Sequence, residues 1–130
     1  MRPGIAGALP LAMQVNVFDT ARPMRGGYRD IAPSAAYQAR ETVRLIDVRE
    51  PLEYTGELGH IPGAELVPLD TLDAQHGGWD KNAEIVVICR SGARSSRAAE
   101  TLARAGFHRV MNLAGGMIAY NAAQLPVVRT

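Results

Sequence analysis

The chemistry this chain can do centres on Cys89, its only cysteine, in the run Cys89-Arg90-Ser91-Gly92-Ala93-Arg94-Ser95. A thiol acts as a nucleophile in its thiolate form, which is favoured by neighbouring arginines, converging backbone N–H groups and helix N-termini. The preceding residues, Ile85-Val86-Val87-Ile88, are continuously apolar and β-branched, the pattern of a strand buried on both faces of a parallel sheet. Residues 93–105 favour helix. A strand that passes into a helix through Arg90-Ser91-Gly92-Ala93 must curl tightly. Its N–H groups then make an anion-binding nest with Cys89 at the rim and Gly92 at the tightest part of the turn. A cysteine after an apolar run is ordinarily an inert core residue. Arg90, Arg94, Ser91, Ser95 and Gly92, gathered just before a helix, argue instead for an activated, nucleophilic thiolate.

With no second cysteine, the chain has no intramolecular disulfide, no resolving thiol and too few thiolates for a cysteine-based zinc or iron–sulfur site. No metal or organic cofactor is expected. Asp47 closes a short strand expected beside the catalytic one, where it can hydrogen-bond the loop or orient an arginine. Arg49 is spaced to pair with Glu53 across one helical turn. His60, inside Gly-His-Ile-Pro-Gly, is expected to be a packed turn residue, because a thiolate already formed needs no base. His76 and His108 are expected to face solvent, and Trp79 to anchor a loop against the core.

The elements that must position these residues alternate along the chain. Helices are expected from Pro33 toward Arg40, from Pro51 onward, and over residues 69–74, 93–105 and 117–123. Strands are expected over residues 45–48, 65–67, 85–89 and 109–113. Proline at the first helical position and Gly106 as a left-handed stop mark several boundaries. This pattern implies an α/β fold, a central parallel sheet with helices on both faces and ligands at the C-terminal strand ends.

A length of 130 residues suits one domain, and 47% apolar with 21% charged residues excludes wholesale disorder and a membrane fold. The net charge of +1 and dispersed arginines give no basic stripe for nucleic acid. Residues 1–29 are expected to be a flexible extension, with Arg22-Pro23-Met24-Arg25-Gly26-Gly27 as a linker and the domain spanning 30–130. The apolar stretch from Ile5 to Met13 is interrupted by Pro10 and too short to cross a bilayer. Cytoplasmic residence is expected, with export through this N-terminal segment as the alternative.

Taken in order, Leu45-Ile46-Asp47-Val48-Arg49-Glu50 with Glu53-Tyr54, Gly59-His60-Ile61-Pro62-Gly63-Ala64, the Cys89 loop and Gly115-Gly116-Met117 resemble the signatures of the single-domain rhodanese family. The resemblance implies a rhodanese-like sheet of about five strands and a two-step sulfurtransferase cycle. Cys89 would take a sulfane sulfur from thiosulfate or a similar small anion as a persulfide, then pass it to cyanide or a thiol, including a thiol on a protein. Arg90, Ser91, Gly92, Ala93, Arg94 and Ser95 would bind the donor, supported by Asp47 and Arg49. Tyr120 stands where the family often has tryptophan. One alternative is a persulfide relay to a specific protein partner. A cysteine-dependent phosphatase or arsenate reductase is another, but phosphatases of that kind place five residues between cysteine and arginine. The shorter ring from Cys89 to Arg94 is better sized for sulfur.

Overall fold

A computed structural model describes residues 16–130. Its centre is a six-stranded sheet in the order β1-β2-β6-β5-β3-β4. Strands β2 (Arg29–Ile31), β3 (Arg44–Asp47), β4 (Glu65–Leu66), β5 (Glu84–Ile88) and β6 (Arg109–Leu113) run parallel to their neighbours, and β1 (Arg22–Pro23) pairs antiparallel with β2 at one edge. The fold is therefore the expected α/β sheet, with six strands rather than about five.

Strand β5 lies between β3 and β6, so both of its edges are paired, and Ile85, Val86, Val87 and Ile88 are fully buried. Alternate side chains enter separate cores. Val86 and Ile88 pack with Ala36 of α2 (Pro33–Gln38) and with Met117 and Tyr120 of α6 (Gly116–Ala122). Ile85, Val87 and Cys89 pack with Leu72 of α4 (Leu72–Gln75) and with Ala98, Ala99 and Leu102 of α5 (Ala93–Arg104). Each buried aliphatic side chain contributes about 1.5–3 kcal/mol, which is why a continuous apolar run takes the middle of the sheet.

Local signals set the helix ends. Pro33 opens α2, and Pro51 opens α3 (Pro51–Tyr54), where Glu50 and Glu53 cap each other's backbone N–H groups. After α5 the chain turns through Gly106 at φ +100°.

The N-terminal boundary differs from expectation. Residues 22–27 are not a linker: β1 and β2 form a hairpin that turns through Gly26 and Gly27, both at positive φ, and Met24 N–H donates to the Tyr28 carbonyl at 2.9 Å. Before it, α1 (Val17–Thr20) is tied to the sheet, with Phe18 N–H donating to the Glu84 carboxylate at 2.8 Å. A boundary at Asp30 would cut through β2. Pro23 is tolerated because β1 is an edge strand. The stretch from Ile5 to Met13 lies outside the described residues. Among those described, no helix is long and apolar enough to cross a membrane.

His76 also departs from expectation. It is half-buried, packing edge-on against Trp79 and Phe107, whereas His108 is exposed.

Candidate active site

Cys89 follows the last residue of β5, and Gly92, at φ +100°, caps the start of α5. Between them the loop folds back over the sulfur. Gly92 N–H donates to Sγ at 3.0 Å and the Ser95 hydroxyl reaches it at 3.2 Å. The loop's carbonyls point elsewhere: Met117 N–H donates to the Cys89 carbonyl at 2.9 Å and Ile118 N–H to the Arg90 carbonyl at 3.0 Å. The first turn of α6 thus ties off the acceptors and leaves the loop's donors facing inward. Cys89 is only 1% exposed, so it lies at the floor of the nest and not, as expected, at the rim. Burial pushes the Cys89 thiol up, but the Ser95 hydroxyl and the backbone N–H groups of Ser95, Gly92 and Ser91 outweigh it and hold the thiol below its ordinary range.

The two loop arginines differ. Arg90 is exposed and lines a cleft of about 200 Å³ with Arg49, Leu52, Glu53, Gly56, Glu57 and Leu58. Arg94 is engaged by Glu53, Nη1 to Oε1 at 2.8 Å and Nη2 to Oε2 at 2.7 Å. Its charge is shared with a carboxylate, so it is not the free anion receptor that its place in the loop suggested. Ala93, the first residue of α5, is exposed.

Arg49 does not pair with the Glu53 carboxylate. Its guanidinium binds Asp47 through Nε at 2.8 Å and Nη2 at 2.7 Å, and also donates to the carbonyls of Glu53 and Gly59. Both Arg49 and Asp47 are buried. The register explains the choice: Asp47 lies across from Ile88 at the C-terminal end of β3, and Arg49, two residues on, folds back onto it. The pair knits the end of β3 to α3 and to the turn at Gly59, beside the strand that carries the cysteine. His60 is buried, stacks on Tyr54 with ring centroids 3.6 Å apart and meets the Tyr54 carbonyl through Nδ1 at 2.8 Å. It is a packing residue of that turn.

The sequence reading named Glu53 and Gly116 without these roles and missed Asn112. Glu53 engages Arg94, Gly116 lets α6 approach the loop, and Asn112 of β6 accepts from Ser95 through Oδ1 while its Nδ2 donates to Asp30 at 3.0 Å. For Asn112 a signal existed: it is a polar residue among Val110, Met111 and Leu113 in a buried strand, where an unpaired amide would be costly.

Residues 32–123 match the family described as Rhodanese-like domain. A sulfurtransferase of Allochromatium vinosum is 40% identical over 88 residues, covering 68% of this chain and 80% of that protein. A thiosulfate sulfurtransferase of Pseudomonas paraeruginosa is 34% identical over 94 residues, covering 72% of this chain and 84% of that one. Among solved structures, a rhodanese-related protein of Thermoplasma volcanium superimposes with a TM-score of 0.72 at 28% identity, over 79% of this chain and 100% of its own. Other curated relatives are longer, and the chain spans 56% and 40% of two of them.

Proposed function

The chain belongs to the rhodanese-like domain family, and on that premise we propose that it moves a sulfane sulfur from thiosulfate, or a similar small anion, to cyanide or a thiol through a persulfide on Cys89. The observation that carries this reading is the Cys89 sulfur lying under the Gly92 N–H and the Ser95 hydroxyl, with the Cys89 and Arg90 carbonyls held away by α6.

In the first step the Cys89 thiolate attacks the outer sulfur of thiosulfate. A new S–S bond forms, the old one breaks, and sulfite leaves with the bonding electron pair. The loop N–H groups face the negative charge that remains on the persulfide, and the exposed Arg90 offers a cation to the departing anion. In the second step cyanide attacks the outer sulfur, thiocyanate departs and the Cys89 thiolate returns. A thiol acceptor leaves as a persulfide in the same way. The loop donors hold the Cys89 thiol below its ordinary range, which eases loss of its proton without a dedicated base.

Intact-protein mass spectrometry after thiosulfate, then cyanide, tests this. The expected result is a gain of one sulfur atom that cyanide removes and that Cys89→Ser lacks. No adduct with thiosulfate or with an organic persulfide would overturn it.

A second reading, delivery of the sulfur to a docked protein thiol, is favoured by Leu52. This side chain is 87% exposed on the cleft that Arg90 also lines. Leu52→Gln should then slow transfer to a protein acceptor while thiosulfate:cyanide turnover stays unchanged.

A further inference from the structure

Ser95 is fully buried, and its Oγ faces two acceptors, the Cys89 sulfur at 3.2 Å and Asn112 Oδ1. A serine hydroxyl has one proton to give. Asn112 cannot relieve the conflict by turning its amide over. Its Nδ2 donates to Asp30 Oδ1 at 3.0 Å, and turning it would set two oxygens against each other, so Oδ1 is the end presented to Ser95.

The arrangement satisfies every group in one ionisation state and not in the other. While Cys89 is a thiol, S–H donates to Ser95 Oγ and Ser95 O–H donates to Asn112. When the thiol gives its proton to solvent, the Ser95 proton is drawn to Sγ. The Asn112 oxygen, on a residue only 5% exposed, is then left without a donor. In the persulfide the negative charge lies on the outer sulfur, against the loop N–H groups. Sγ, now bonded to both carbon and sulfur, is a weak acceptor, and the Ser95 proton returns to Asn112.

We propose that Asn112 is a positioning residue, held by Asp30, that competes with Cys89 for the single proton of Ser95. The competition restrains ionisation of the empty thiol and is relieved when the sulfur is loaded, which favours uptake. This builds on the sulfur-carrying reading of Cys89. The charged groups around the sulfur are Asp30 behind Asn112, Arg90 in the loop, Arg94 with its partner Glu53, and the Asp47–Arg49 pair at the end of β3. In an Asn112 variant only Asp30 loses a hydrogen-bond partner, and comparing the shift with and without Ser95 separates that change from the competition.

The test is the pH titration of thiolate ultraviolet absorbance, with the Cys89→Ser signal subtracted; the single cysteine makes the assignment unambiguous. Asn112→Leu should lower the midpoint by on the order of one pH unit, because Ser95 is then free to serve the thiolate. Ser95→Ala should raise it, and the double variant should match Ser95→Ala. A merely structural role predicts the opposite: loosening Ser95 would raise the midpoint. A rise or no change in Asn112→Leu, or an equal effect with and without Ser95, overturns the proposal. Should Asn112→Leu fail to fold, Asp30→Asn releases the Asn112 amide to turn and should lower the midpoint more with Ser95 present than in Ser95→Ala, where only the lost charge acts; an equal drop in both, or no drop, is equally fatal. Absence of a sulfur adduct would instead sink the functional reading and leave this titration interpretable.

Discussion

Arg94 of α5 and Glu53 of α3 meet fork to fork at the mouth of the Cys89 loop, with nitrogen–oxygen distances of 2.8 and 2.7 Å. The pair ties the helix that follows the catalytic strand to the helix that follows β3. It also sets the charge an approaching anion meets, because the carboxylate offsets one of the loop's two arginines.

Glu53→Gln should therefore improve thiosulfate binding. Glutamine keeps one oxygen for the Glu50 N–H and Arg94 Nη1, but removes the negative charge and the acceptor for Arg94 Nη2. The thiosulfate KM should fall by about two- to fivefold at low ionic strength, and the gain should vanish in high salt, as screening of part-exposed charges requires. Steady-state kinetics at two salt concentrations checks both parts; an unchanged KM at low salt would show that Glu53 does not set the field at the mouth.

The same pair predicts an acid-sensitive contribution to stability. The Arg94 guanidinium, opposed by burial and helped by the Glu50 N–H, holds the Glu53 carboxyl down at about 2, from an ordinary 4.5. A carboxyl whose folded pKa is depressed stabilises the fold above its unfolded value and loses that contribution as pH falls through the folded one. The stability difference between the native chain and Glu53→Gln, measured by urea denaturation, should hold constant above pH 4.5 and shrink as pH drops toward about 2. A difference that does not vary with pH would refute the electrostatic account.

What was legible in the sequence was what is local in the chain. The run from Ile85 to Ser95 states strand, turn and helix within eleven consecutive residues, and Pro33, Pro51 and Gly106 mark ends with their own backbones. The partners Glu53, Asn112, Asp30 and Gly116 come to Cys89 from other elements, and no periodicity links them to it. Register decides such meetings, as when Asp30 falls opposite Asn112 across β2 and β6. The stretch from Arg22 to Gly27 was misread for a related reason. Proline and paired glycines suit a linker and a tight edge hairpin equally, and only the pairing of β2 with β6 chooses between them.

The buried Asp47–Arg49 pair should prove costly to break. Arg49 is 1% exposed and Asp47 fully buried. Asp47→Asn would leave the guanidinium without its counter-charge in a dry site, a change expected to destabilise the fold by about 3–5 kcal/mol. Urea denaturation measures it. A loss below about 1 kcal/mol would mean that water reaches Arg49 once the carboxylate is gone.

Gly116 separates loop geometry from mere stability. It sits at φ +61°, and a Cβ there would collide with the Arg90 carbonyl and lie 2.6 Å from the Cys89 carbonyl oxygen, the two acceptors that α6 holds away from the nest. Gly116→Ala thus adds backbone strain and also pushes the loop. Gly63 is a natural control: it sits at φ +89° with nothing within 4 Å of its virtual Cβ, so Gly63→Ala adds strain alone. In urea denaturation Gly63→Ala should lose about 1–3 kcal/mol and Gly116→Ala more, since overpacking adds to the strain. Only Gly116→Ala should also lower kcat for sulfur transfer, by about tenfold or more, since small displacements of reacting groups cost rate steeply. Equal kcat values in the two variants would show that the clamp of α6 on the Cys89 and Arg90 carbonyls holds the fold together without shaping the nest.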